Sequence, residues 1–120
     1  SQTINSNLEI TVVDYVSGNL ELIVRNIGGV DIEVNTGADS PTTALILQEG
    51  TGTIICQTYL GSANADCTMG CGNDIEVGET QKIVIDLAGD CSLSSYTEDE
   101  LILFDLDFSG DVGTGGDFKI

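Results

Sequence analysis

The chain predicts an all-β fold, an antiparallel sandwich of about seven or eight strands, and three observations carry that reading. Apolar and polar residues alternate with period two, as where Leu20, Leu22 and Val24 are set against Glu21 and Arg25. The 15 glycines and 1 proline fall mostly between such segments, where corners are needed. No stretch holds a helical period of about 3.6 residues over three turns.

Taken in order, the strands are expected at Leu8 to Val16, Leu20 to Asn26, Val30 to Val34, Thr43 to Gln48, Thr53 to Leu60, Gln81 to Leu87 and Leu101 to Phe108, with a short last one at Asp117 to Ile120. Turn chemistry bounds each: Ser17-Gly18-Asn19, Gly28-Gly29, Gly37 to Pro41, Glu49-Gly50, Gly78-Glu79 and Gly113 to Gly116. Ser94 to Glu100 has room for one helical turn before the Leu101 strand. The inward sets should be Leu8, Ile10 and Val12, then Leu22, Val24, Ile83, Ile85, Leu87, Phe104, Leu106 and Phe108. Burying each large apolar side chain contributes roughly 1.5 to 3 kcal/mol against a backbone ordering cost of about 1 to 2 kcal/mol per residue, so the balance is narrow.

Length and composition fit one domain over residues 1–120, since a chain of 120 residues with 41% hydrophobic content can build a single core. No run approaches the roughly 18 apolar residues of a spanning helix, and no basic-then-apolar signal opens the sequence. The charge is strongly one-sided, with 20 Asp and Glu against 3 Lys and Arg, no His, and a formal net charge of −17. Such a surface repels phosphate backbones and anionic bilayers, which argues against nucleic acid and membrane surfaces as partners. It suits a hydrated, cation-attracting exterior.

Cys56, Cys67, Cys71 and Cys91 are separated by 10, 3 and 19 residues. Without His, and without Cys-x-x-Cys knuckles, that spacing favours two disulfides over zinc and thus an oxidising or extracellular location. Four cysteines allow three connectivities, and the sequence does not choose among them; the pairing adopted as the expectation joins Cys56 to Cys67 and Cys71 to Cys91. Bridges there would pin the apolar-poor region from Gly61 to Asp74, each adding about 2 to 4 kcal/mol.

Two corners carry a family resemblance. The strand ending Val24-Arg25-Asn26-Ile27-Gly28-Gly29 leads into Val30-Asp31-Ile32-Glu33-Val34, and Gly78-Glu79-Thr80 precedes the alternating strand that begins at Gln81. Together they resemble the soluble domains of archaeal type IV pilins and archaellins, and related immunoglobulin-like modules such as archaellum anchors and CARDB-type domains. Val77 stands where those modules commonly have proline, and no Asn-x-Ser/Thr sequon is present. The fold motif thus comprises Asn26, Gly28, Gly29, Asp31, Gly78, Glu79 and Thr80. The resemblance implies an immunoglobulin-like sandwich and an N-terminal hydrophobic helix outside this sequence, for which Ser1 to Asn7 would be the polar exit.

Chemistry beyond structure has one candidate. Asp105, Asp107, Ser109 and Asp111, with Gly110 at the sixth place, imitate the start of a calcium loop, although the twelfth place is Gly116 and Asp117 comes one step late. Strand alternation explains the same letters, with Phe104, Leu106 and Phe108 inward and Asp105 and Asp107 in water. Lack of His excludes Ser-His and Cys-His nucleophiles, and no glycine-rich loop runs from a strand into a helix to hold a phosphate. With 5% aromatic residues and no Trp, sugar-stacking platforms are scarce, and Tyr15, Tyr59 and Tyr96 are assigned to packing or surface.

The expected role is therefore non-catalytic: the head domain of an archaeal extracellular filament subunit that forms homo-oligomers through the implied helix. The alternative is a cell-envelope anchor module gripping a surface-layer protein. A more remote one is a carboxylate-dependent glycoside hydrolase, which would need two facing carboxylates in a cleft, one with a raised pKa.

Overall fold

A computed structural model describes residues 7–37, 39–108 and 112–120. Ten strands follow one another: β1 (Leu8–Val16), β2 (Asn19–Asn26), β3 (Ile32–Glu33), β4 (Thr43–Gln48), β5 (Ile54–Tyr59), β6 (Ala65–Met69), β7 (Asp74–Ile75), β8 (Thr80–Leu87), β9 (Leu101–Phe108) and β10 (Val112–Lys119). They form a four-stranded sheet in the order β1-β2-β8-β6, a second in the order β10-β9-β4-β5, and a small β3-β7 pair, all antiparallel. Two such antiparallel sheets make an immunoglobulin-like sandwich. No described helix is long and apolar enough to cross a membrane.

The inward faces supply the core. Leu20, Leu22 and Val24 of β2 and Ile83, Ile85 and Leu87 of β8 meet Ala44 and Ile46 of β4 and Ile102, Phe104, Leu106 and Phe108 of β9, all buried. These twelve buried side chains on the two central strand pairs fill the space between the sheets. Leu60 and Leu93, from the connections, and Ile75 of β7 are also fully buried.

Strand β1 departs from simple alternation. The register runs Ile10 opposite Val24 and then Val12 opposite Ile23, so Thr11 is an extra, bulged residue whose hydroxyl donates to the Ile23 carbonyl at 3.2 Å. A bulge reverses the phase of everything after it. Val12, expected inward, is 44% exposed, while Val13 and Tyr15 turn toward the core. They meet β10 there: the Tyr15 and Phe118 rings stack with centroids 5.3 Å apart, closing the edge between the two sheets.

Other boundaries shift for identifiable reasons. The expected Val30 to Val34 strand shrinks to Ile32–Glu33, because the Val30 carbonyl accepts the Asn26 side chain at 2.8 Å instead of a strand neighbour. Ser94 to Glu100 forms two successive turns, closed by Tyr96 N–H to Leu93 O at 3.1 Å and Glu100 N–H to Thr97 O at 3.2 Å, with Asp99 at φ 68° interrupting any helical continuation. The last strand is longer than expected, its glycines pairing with β9 from Val112 onward. Strands β6 and β7 were not anticipated: β6 offers only Ala65, Cys67 and Met69 as weak alternation, and β7 is two residues long. Of the expected exit segment, Ser1 to Ser6 lie outside the described residues.

The disulfides are Cys56–Cys91 and Cys67–Cys71, not the expected pairing. Cys56 points into the core from β5 and meets Cys91, which a single 3₁₀ turn (Gly89–Cys91) buries, at a Cα separation of 5.2 Å. Cys67 lies in the opposite sheet from Cys56, and the chain reversing at Gly70 brings Cys71 to a Cα separation of 6.2 Å from it. Sequence spacing carried no information about which sheet each cysteine joins.

Candidate functional site

The motif residues behind the family resemblance build a structural corner. Asn26 is fully buried; its Nδ2 donates to the Val30 carbonyl at 2.8 Å and to the Ile75 carbonyl at 2.9 Å, while its Oδ1 accepts the Gly28 N–H at 3.0 Å. One amide thus satisfies three backbone groups and ties the β2 end to the β3-β7 pair, as buried polar groups must be satisfied. Gly78 sits at φ 81° in a turn closed by Glu79 N–H to Glu76 O at 2.9 Å, a geometry that suits glycine at its third position. The Val77 N–H donates to the Asp31 carboxylate at 3.3 Å, a bond that a proline at this position could not make. The Glu79 carboxylate in turn accepts the Glu76 N–H at 3.0 Å, and Thr80 opens β8, while Gly29 is exposed beside the corner.

A different surface has the character of an interface. On β4 and β9 the outward side chains are also apolar: Leu45 and Leu47 on one, Leu101 and Leu103 on the other, each partly exposed. The register sets Leu103 beside Leu47 and Leu47 beside Ile54 of β5, which is 57% exposed. Three adjacent strands therefore present one row of aliphatic side chains on the outside of the sandwich, flanked by Leu45 and Leu101. Contiguous apolar patches of this kind mark interaction surfaces more often than isolated exposed leucines do.

Beside that row the same face turns acidic. Asp105 and Asp107 point outward while Phe104, Leu106 and Phe108 are buried, as strand alternation requires. Opposite them on β10 stand Gly115 and Gly113, so the cross-strand positions that usually hold a second side chain are empty. The result is an open recess of about 550 Å³ lined by Asp105, Asp107, Gly113, Thr114 and Gly115. Gly115 is required there, because a Cβ would stand 2.7 Å from the Phe104 carbonyl oxygen. Burial first, and the neighbouring charge of Asp107 second, push the Asp105 carboxyl above its usual pKa. Among the described residues the single ion pair is Lys82–Glu21, on the other sheet, at 3.5 Å.

Of the expected calcium ligands, Asp105 and Asp107 share this face, and Ser109 and Asp111 lie outside the described residues. Among the described residues no three metal-ligating side chains gather. The apolar row was missed although its signal was present: Ala44-Leu45-Ile46-Leu47 and Leu101-Ile102-Leu103-Phe104 are unbroken apolar runs, the mark of a strand covered on both faces.

The architecture has solved counterparts. A chain of the archaellum periplasmic stator complex of FlaF and FlaG from Sulfolobus acidocaldarius is similar over 93% of this chain and 88% of its own, with 17% identity and a TM-score of 0.62. The archaellum periplasmic stator protein FlaG from the same organism is similar over 92% of this chain and 97% of its own, with 18% identity and a TM-score of 0.62. No protein-family model and no curated protein matches the sequence. At these identities the likeness is one of fold, and it extends along nearly the whole of each chain.

Proposed function

We propose that this domain is a non-catalytic structural module of the archaeal cell envelope, acting as a stator-like anchor of an archaellum rather than as the head of a filament subunit. The observation that carries the reading is the shared sandwich, matched nearly end to end with archaellum periplasmic stator proteins. Two disulfides support a location outside the cytoplasm, where thiols oxidise. The acidic exterior keeps such a module hydrated among crowded surface proteins. Its mechanism is mechanical: a rigid, disulfide-tied body holds a neighbouring protein, and its faces set what it can hold. The FlaF–FlaG neighbour is a complex of two proteins, which supports a protein partner for this chain also.

Immunogold labelling of native cells with an antibody to this domain tests the reading. Label confined to the envelope, and at filament bases, is expected. Label running along the filament shafts would overturn it in favour of a filament head.

A further inference from the structure

Both outer faces of the sandwich carry apolar side chains, and the second adds a glycine-floored recess beside them. Leu47, Leu103 and Ile54 form its apolar row, yet no element of this chain covers it among the described residues. Next to the row, two carboxylates stand beside backbone glycines where a cross-strand side chain would normally sit. Gly115 lines the recess, and a Cβ there would meet the Phe104 carbonyl.

We infer that the outer face of the β10-β9-β4-β5 sheet is a docking surface for a different, basic protein, which lays aliphatic side chains along Leu47, Leu103 and Ile54 and places an arginine or lysine in the recess over Asp105 and Asp107. Charge selects the occupant. A second copy would bring another −17 to the interface, and of the 3 cations in the chain only Lys119 lies on this sheet. Like-charged copies repel, whereas a cationic partner is steered toward the site and gains a desolvated charge pair within it. The two features also divide the work as interfaces usually do, with an apolar centre giving area and a flanking polar group giving register. The inference rests on the non-catalytic, partner-holding reading above but not on the archaellum in particular.

The test uses a defined probe: an eight-residue extended peptide with leucine at alternate positions and one terminal arginine, titrated into the isotope-labelled chain and followed by amide chemical shifts. Perturbations confined to β4, β5, β9 and β10 are expected, with binding at least tenfold weaker when the peptide arginine becomes glutamate, and tenfold weaker for the Asp105→Asn, Asp107→Asn variant. Leu103→Glu should abolish binding while leaving the rest of the spectrum folded. The inference is overturned if no binding occurs, if the perturbations fall on β1, β2 and β8, if the arginine-to-glutamate change has no effect, or if sedimentation shows the chain already dimerised through this face. None of these outcomes bears on where the protein resides in the cell, so the envelope reading stands or falls separately.

Discussion

The outer face of the first sheet and that of the second are built from strands of similar length, yet they place their charges differently. On the first, charged and apolar side chains form a chequerboard: Ile23 pairs with Lys82 and Glu21 with Val84, so the aliphatic diagonal crosses the Lys82–Glu21 ion pair. Arg25, Asp14 and Asp86 lie around it, and the apolar groups on this face extend to Val12 opposite Ile23 and Met69 opposite Val84. On the second, Leu47 and Leu103 lie side by side and continue to Ile54, with Asp117 at the β10 end of that row, while Asp105 and Asp107 stand between Leu45 and Thr43 on one side and the glycines of β10 on the other. Paired charge keeps the first face solvated, while carboxylates without a cross-strand side chain leave the second open to a cation. The same core therefore carries one face whose central charges pair within the chain and one with an unfilled recess.

The largest way to break that contrast is to loosen the edge that holds Ile54. Cys56–Cys91 fastens β5 to the turn after β8 across 35 residues of sequence, whereas Cys67–Cys71 closes a loop of separation 4. Loop entropy scales with length, so losing the first bridge should cost about 4 kcal/mol and losing the second about 2 kcal/mol. Urea denaturation of Cys56→Ala, Cys91→Ala and of Cys67→Ala, Cys71→Ala should show that order, with peptide binding impaired only in the first.

A smaller and more direct test exchanges aliphatic groups on each face in turn. Leu47→Thr with Leu103→Thr, and Ile23→Thr with Val84→Thr, each remove partly exposed groups and keep β-compatible side chains. About 2 kcal/mol of stability should go in either case, since full burial of such a side chain is worth roughly 1.5 to 3 kcal/mol and these are only partly buried. Binding should separate them, vanishing for the second-sheet pair and persisting for the first-sheet pair. Equal effects on binding would mean that the Leu47–Leu103 row is not the docking surface.

How far the sequence reveals these faces depends on how each residue reports its surroundings. β2, β8 and the carboxyl half of β9 were legible because alternation there reflects a buried side and a wet one. β1 was legible in extent but not in phase, since nothing in the letters around Thr11 announces a bulge. β6 stayed hidden because Ala65 and Cys67 are too small to mark a core face, although they pair with Leu87 and Ile85. The cysteine pairing was out of reach for a topological reason: partners 35 residues apart meet only once the two sheets have packed. The acidic half of the candidate face was visible as Asp105 and Asp107, but its empty half is made of glycines, which in sequence look like a turn. The leucine row was visible and unread, because unbroken apolar runs also suit a strand buried inside its own protein.

The acidic half gives a pH-dependent prediction. Asp105 binds its proton more tightly in the folded chain than the usual carboxyl, mainly through burial and secondarily through Asp107. A carboxyl whose folded pKa is raised contributes stability below the unfolded value near 3.8, and that contribution is lost as pH rises through the folded pKa. At neutral pH the ionised group therefore opposes folding. Asp105→Asn should raise Tm at pH 7, and the gain should disappear below about pH 3.8. Gaining stability while losing arginine-dependent binding would mark Asp105 as a residue kept for its partner.

The smallest expected effect lies on the first face, and it guards the comparison from the other side. Lys82 and Glu21 are 49% and 30% exposed, so their 3.5 Å pair is well screened by solvent. A double-mutant cycle with Lys82→Gln and Glu21→Gln should give a coupling below about 1 kcal/mol, because exposed pairs rarely exceed that. The single Lys82→Gln change also removes one of only 3 cations from a chain of net charge −17, so general repulsion rises in that variant. Only the cycle separates the two causes, since repulsion from distant charges cancels in the coupling while the contact does not. Salt should shrink the single-variant effect, as the screening length falls to about 8 Å at physiological ionic strength. A coupling well above 1 kcal/mol would mean that the ion pair holds the first sheet's diagonal together, and the contrast between a merely wetted face and a binding face would then need to be redrawn.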